Sequence, residues 1–381
     1  MTPCTTATRG GTTLTSSPSR RGTLASKSRP FFTEFVPIPR ETARALLNRG
    51  GGVNLSDIQQ DQDDVLVADL IQRIDQALAN FSNPSFLRLS TRSPKDSTWL
   101  FPFAARQMAG DVIHWPDTEN VQQQLVSFVS SMLHLCCVDN GKEAVDLVLG
   151  SQRVFNDLLM LNATMPEESP PPLNVVLREV FPLRLDLEFR AFVSQGIVTG
   201  LSQYFHFLHF DACPSHSEVE PLSRVSEEDL FILRDALVGY ITGVIEPLLH
   251  QNHEARLSSG WSDYIIDLAL VPLPSAGPPP MYECKRLVRF QNQMFILYVV
   301  ELNPFAPSAT GAMLFNWEAD LHFLWKGRDG DFFACPASPP CPPPCRVRRS
   351  PIALEALSRV TLLPYGYESV LKEAISIRAN A

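Results

Sequence analysis

Seven consecutive apolar residues, Met294 to Val300, run directly into Glu301, Leu302, Asn303 and Pro304. Such a run reads as a strand buried on both faces, and the proline stops its ladder. Side chains alternate along a strand, so Glu301 and Asn303 leave from one face, roughly 6–7 Å apart at the backbone. Two hard oxygen ligands at that pitch, on a rigid element, suit one Mg²⁺ ion or a bridge between two. The same residues also serve as a plain strand end with Asn-Pro opening a turn, and the motif alone does not choose.

A second anomaly lies upstream. Asp267 sits inside Tyr264-Ile-Ile-Asp267-Leu-Ala-Leu270, where an acid is unfavourable unless it is paired or ligates a cation. If this strand and the 294–303 strand are antiparallel neighbours, then Asp267, Glu301 and Asn303 converge. That set is expected to hold Mg²⁺ bridging the phosphates of a nucleotide.

The totals allow such a site. The chain has 381 residues, enough for two or three domains or one domain with two lobes, and 45% hydrophobic content supports a substantial core. A net charge of −9 disfavours nucleic acid as a partner, since gripping phosphate backbones needs a basic field. It suits an acidic metal cleft or a basic protein partner. No apolar run approaches the ~20 residues of a membrane helix. Eight cysteines without regular spacing fit a reducing compartment, and hence a cytoplasmic location. Cys335, Cys341 and Cys345 lack a fourth ligand for zinc nearby. His206 and His209, with Asp211, fall on opposite faces of a strand and make a poor metal set.

Residues 1–33 contain no acid and five basic residues, Arg9, Arg20, Arg21, Lys27 and Arg29. They read as a disordered tail or an organelle transit peptide, outside the fold in either case. An N-terminal lobe is expected over 34–165, with a helical stripe in Asp63–Phe81, a strand at Ser85–Leu89 and a helix at Gln122–Leu135. Prolines at 166 and 170–172 mark a break between lobes. A C-terminal lobe over 173–325 opens on the buried strand Leu173–Val180. It continues with a hairpin turning at Gln195-Gly196, a helix begun by Ser226, and the two acid-bearing strands, which an insertion at 271–290 joins. Residues 326–381 read as a Pro/Cys-rich linker and a closing helix around Tyr367–Arg378. The fold class is α+β.

A nucleotide also needs cations, yet neither a GxxxxGK[ST] loop nor a strand-borne GxGxxG is present. The basic candidates lie on or beside strands instead: Arg88, Lys95, Arg178 and Arg190. With the acid-bearing strands they make a two-lobed clamp of the ATP-grasp type, its nucleotide cleft between the lobes.

The segment Phe86-Leu-Arg88-Leu-Ser-Thr-Arg-Ser-Pro94-Lys95-Asp96-Ser-Thr-Trp99 resembles the cell division cycle protein 123 family. So does Val176-Leu-Arg178 followed by Glu188-Phe-Arg190-Ala-Phe-Val193. Gly200-Leu-Ser-Gln203, Asp267 in its strand, and Glu301-Leu-Asn303-Pro-Phe305 through Trp317-Glu318 complete the resemblance, in order, over about residues 85–320. It implies an ATP-grasp-like fold with ATP and Mg²⁺ held between lobes. It also implies a role as a chaperone assembling eukaryotic translation initiation factor 2 through its gamma subunit. By position, Arg88, Lys95 and Asp96 would contact phosphate or ribose, and Val176, Leu177 and Arg178 would form the adenine-side strand. Arg190 would face the phosphates, with Asp267, Glu301 and Asn303 on magnesium. The chain departs from the family in having Arg88 for Lys, Glu301 for Asp, and Glu179 and Tyr204 for basic residues. Arg for Lys keeps the charge and changes its geometry. The alternatives are a carboxylate–amine ligase of the ATP-grasp type and a degenerate binding module.

Overall fold

The computed structural model describes residues 32–52, 56–111, 121–164, 173–180, 183–210, 220–251, 262–273, 287–306, 310–325, 342–350 and 364–380. Within them the chain is α+β, built on two sheets. No helix is long and apolar enough to cross a membrane among the described residues. Residues 1–31 of the expected tail, the prolines at 166 and 170–172, most of the 271–290 insertion, Asp211, Cys335 and Cys341 lie outside the described residues, while Thr33, read as part of the tail, pairs with Arg178 in the first sheet.

The first lobe begins with β1 (Thr33–Pro37), α1 (Arg40–Gly50), α2 (Asp57–Leu78) and β2 (Ser85–Leu89). There follow α3 (Phe101–Asp111), α4 (Val121–Leu135), β3 (Cys137–Val138), α5 (Gly141–Leu149), α6 (Gln152–Thr164) and β4 (Asn174–Glu179). Its sheet runs β1-β4-β2-β3, antiparallel throughout. β4, read from sequence as the start of the second lobe, thus pairs centrally in the first. Of the stripe read over 63–81, Leu70, Ile74 and Leu78 are buried, and Val67 joins them in place of Val65, which is exposed. Ser56 caps α2 by accepting from the Gln59 amide, which extends the helix upstream of the predicted start.

The second lobe holds β5 (Glu188–Ser194), β6 (Ile197–Gln203), α7 (Glu227–Tyr240), α8 (Glu246–Gln251) and β7 (Asp263–Pro272). Next come β8 (Leu287–Phe290), β9 (Gln293–Pro304), α9 (Trp317–Leu324) and β10 (Cys345–Arg346), after which α10 (Tyr367–Ala379) returns to the first lobe. The sheet order is β10-β6-β5-β7-β9-β8. The β5–β6 hairpin turns at Gln195 and Gly196, both at positive φ (53° and 76°), as a tight two-residue turn demands. Ser226 Oγ accepts from the Asp229 amide and starts α7. A five-residue π turn, Ile241–Ile245, separates α7 from α8.

β7 and β9 are antiparallel neighbours, as expected, but β9 is buried on both faces only at Phe295–Leu297. From Tyr298 onward it is half-buried, because β8 reaches no further than Ile296 in register. That half-open stretch carries Glu301 and Asn303.

The lobes share a core. Directly after β6, Phe205, Leu208 and Phe210 enter the first lobe's core rather than the second's. α10, following the second lobe in sequence, also puts Tyr367, Val370 and Ala374 into that core.

Candidate functional site

The β7–β9 ladder slips between Asp267 and Leu268, and this slip builds the acidic side of the site. Leu268 faces Val299 and Asp267 faces Glu301, so Val300 is the extra residue of a β-bulge. An unbroken ladder would set Val300 opposite Asp267. On the other edge of β7, Asp267 faces Arg190 of β5. Directly paired residues share a face, so Arg190, Asp267 and Glu301 form a charged row across three strands, with Asn303 two residues further along.

Arg190 holds Asp267 by two bonds, Nε to Oδ1 and Nη2 to Oδ2, each 2.8 Å. Both oxygens accept, so the carboxylate is ionised in this arrangement. Burial pushes the Asp267 carboxyl up, and the Arg190 fork opposes that push. Burial likewise works against the Arg190 charge, but Asp267 holds it above its ordinary value. Arg190 Nη1 further donates to the Gly311 carbonyl at 2.9 Å. Asn303 Nδ2 donates to Asp267 Oδ2 at 3.2 Å.

The first lobe supplies the opposing wall. Arg88 of β2 reaches across with Nη2 2.6 Å from Glu301 Oε1, while its Nε donates to the Leu89 carbonyl. Arg178 of β4 donates from Nη1 to the Val300 carbonyl at 2.5 Å, an oxygen at the bulge. Its Nε is buried without a hydrogen-bond partner. Lys95, in the turn after β2, has no carboxylate in ion-pair contact among the described residues, and its ammonium lies 5.7 Å from the Tyr204 ring centre. The other side of the contact is Arg190, whose guanidinium carbon is 5.1 Å from the same ring.

Between these walls lies a cleft of about 550 Å³, within the usual range for a small-molecule site. Arg88, Lys95, Arg178, Glu188, Asp267 and Glu301 line its charged end. Phe86, Leu133, Cys137, Val180, Leu183 and Leu185 line an apolar portion. Other sequence-predicted residues lie off the lining. Arg190 sits behind Asp267, and Asn303 touches it from the side. Val176 and Leu177 are both buried, and Leu177 belongs to the first core. Asp96 faces α6, accepting from Ser151 Oγ at 2.5 Å and from the Arg153 amide at 3.0 Å.

Glu188 is a cleft residue to which the sequence reading gave no role. Its spacing of two from Arg190 was the available signal, since it puts both on one face of β5. Burial pushes its carboxyl up to about 7, with Lys95 opposing and Asp267 reinforcing the shift. Burial lowers the Lys95 ammonium, but Tyr204, Glu188 and their neighbours outweigh this and hold it above its ordinary value. The α4 and β3 residues of the apolar portion had no sequence signal, because packing alone brings them there.

Burial pushes the Cys137 thiol up to about 11, so it is protonated and a poor nucleophile at neutral pH. Among the described residues no group of three or more His, Cys, Asp or Glu is disposed as a metal cluster. A cation here would draw on two carboxylates and one carboxamide.

No family model matches the chain, and no curated protein matches it. The chain is similar to the structure of Cdc123 from Schizosaccharomyces pombe, with 16% identity over 83% of this chain and 89% of that one and a TM-score of 0.44. The same values hold for a C-terminally truncated form of that protein. A superposition of that quality assigns no residue a role.

Proposed function

We propose that the cleft binds ATP with Mg²⁺, and that binding sets the relation of the two lobes in a chaperone that assembles translation initiation factor 2 through its gamma subunit. The observation that supports nucleotide binding is the set of cations Arg88, Lys95 and Arg178 lining one cleft with Asp267 and Glu301, Lys95 having no carboxylate in ion-pair contact among the described residues. Basic groups with spare donors suit phosphate oxygens, and the adjoining apolar portion suits a base. The partner rests on the resemblance of segments 86–99, 176–193 and 301–318 and on the acidic net charge.

The three side chains are of the hard-oxygen kind that a divalent cation takes; without ligand, both Asp267 oxygens accept from Arg190 and Glu301 Oε1 accepts from Arg88, so a cation would have to displace part of these contacts. Asp267 and Glu301 are directly opposed in the ladder and both line the cleft, and Asn303 touches Asp267. These three residues would hold Mg²⁺, which neutralises phosphate charge when bound. Arg88 and Lys95 orient the anion from the first lobe, and Arg190 keeps Asp267 ionised and fixed in direction.

Lys95→Met tests the reading without breaking an ion pair. Calorimetric titration with Mg²⁺·ATP is expected to show saturable binding, weakened at least roughly tenfold, about 1.4 kcal/mol, in the variant. Heat of mixing indistinguishable from buffer for the unaltered chain would end the proposal. For the partner, the chain should retain the gamma subunit in a pull-down more strongly with Mg²⁺·ATP than without.

A further inference from the structure

Glu301 is one of the acids assigned to the cation, yet its Oε1 is engaged by Arg88, one of the cations assigned to the anion. Among the described residues this is the one ion pair joining the two sheets. It stands beside a second bridge, Arg178 to the Val300 carbonyl. Both second-lobe groups come from the bulged stretch of β9, beyond the reach of β8, where no strand lies on its outer edge among the described residues. Both first-lobe groups come from the paired strands β2 and β4, where Arg88 faces Val176 and Phe86 faces Arg178. The segment after β6 also joins the lobes, by placing Phe205, Leu208 and Phe210 in the first core. The two bridges therefore span a cleft between lobes that are joined elsewhere as well.

The geometry points to an internal latch: in the ligand-free protein Glu301 occupies the place on Arg88 that an entering polyphosphate takes, and the anion must break this contact to bind. This regulation rests on the reading of the cleft as an ATP site. A carboxylate and a phosphate compete for the same guanidinium edge. Divalent cation then favours the open form from the other direction, by drawing Glu301 off Arg88.

Glu301→Gln separates the two roles of this side chain, since it keeps the shape and a weaker hydrogen bond but removes the competing charge. The probes are ATP in EDTA, inorganic triphosphate in EDTA, and Mg²⁺·ATP, with hydrogen exchange of 86–90 and 297–304 in the absence of ligand. The expected results are roughly three- to tenfold tighter binding of both metal-free anions, a smaller gain in affinity from Mg²⁺, and faster ligand-free exchange of both segments. Arg88→Gln added to Glu301→Gln should not speed that exchange further, because one contact has been removed either way. Metal-free binding that is unchanged or weaker in Glu301→Gln, or ligand-free exchange that does not move, overturns the latch. If the unaltered chain binds no ATP, the nucleotide reading fails, while the exchange arm still shows whether the two lobes are bridged through Glu301.

Discussion

Glu188 shows how much a single position depends on its surroundings. In an extended chain it is an ordinary carboxyl near 4.5, and in the folded cleft it stands at about 7. Between those values the folded state holds a proton that the unfolded state has released. Its contribution to stability is therefore full below about pH 4.5 and is lost as the pH rises to about 7, at up to roughly 1.4 kcal/mol per pH unit. Glu188→Gln should flatten this decline in urea denaturation series run from pH 4.5 to 8, and parallel curves for the two proteins would contradict the assignment. Asp267 belongs to a different class. Removing it leaves Arg190 buried and unpaired, which costs about 3–5 kcal/mol, so Asp267→Ala tests the fold before it tests a ligand. Residue types were legible in the sequence at Arg88, Lys95, Asp267 and Glu301, all of which line the cleft. Asp96 was not, since nothing in a Pro-Lys-Asp turn says whether the acid faces a ligand or the amides of α6.

At the scale of elements, local signals placed the strands and helices well where periodicity is strong. The Gln195-Gly196 turn and the Ser226 cap are encoded in a few adjacent residues, and each forms as read. The bulge at Val300 is not encoded that way, because it is a property of two strands held together. Close approach between helices is likewise silent in sequence. Gly141, at the start of α5, lies so near α2 that a Cβ would stand 2.3 Å from the Ile71 carbonyl oxygen, and its amide donates to Asp75 Oδ1 at 2.6 Å. Gly141→Ala should destabilise by about 1–3 kcal/mol through forced separation of the helices. The midpoint of chemical denaturation reads this directly, and a shift equivalent to less than about 0.5 kcal/mol would mean the contact yields freely.

For the whole molecule, the decisive feature is the segment after β6, which leaves the second sheet and enters the first core. Phe205 is 6% exposed there and Leu208 fully buried, so the lobes share hydrophobic material rather than meeting at a surface. Phe205→Ala should cost about 3–5 kcal/mol and should separate the melting of the two lobes in calorimetry. A single transition, shifted down as a unit, would show that the remaining contacts suffice to couple them.

The sequence by itself determined the α+β class, the most strongly patterned strands and helices, and the acids that an apolar strand cannot hold without partners, because such preferences act over a few neighbouring residues. The tertiary structure alone decided that β4 belongs to the first sheet, that Val300 bulges and turns Glu301 toward Asp267, and that Arg88 meets Glu301 across 213 positions of chain. These outcomes depend on how separate elements pack, and no local pattern carries that information.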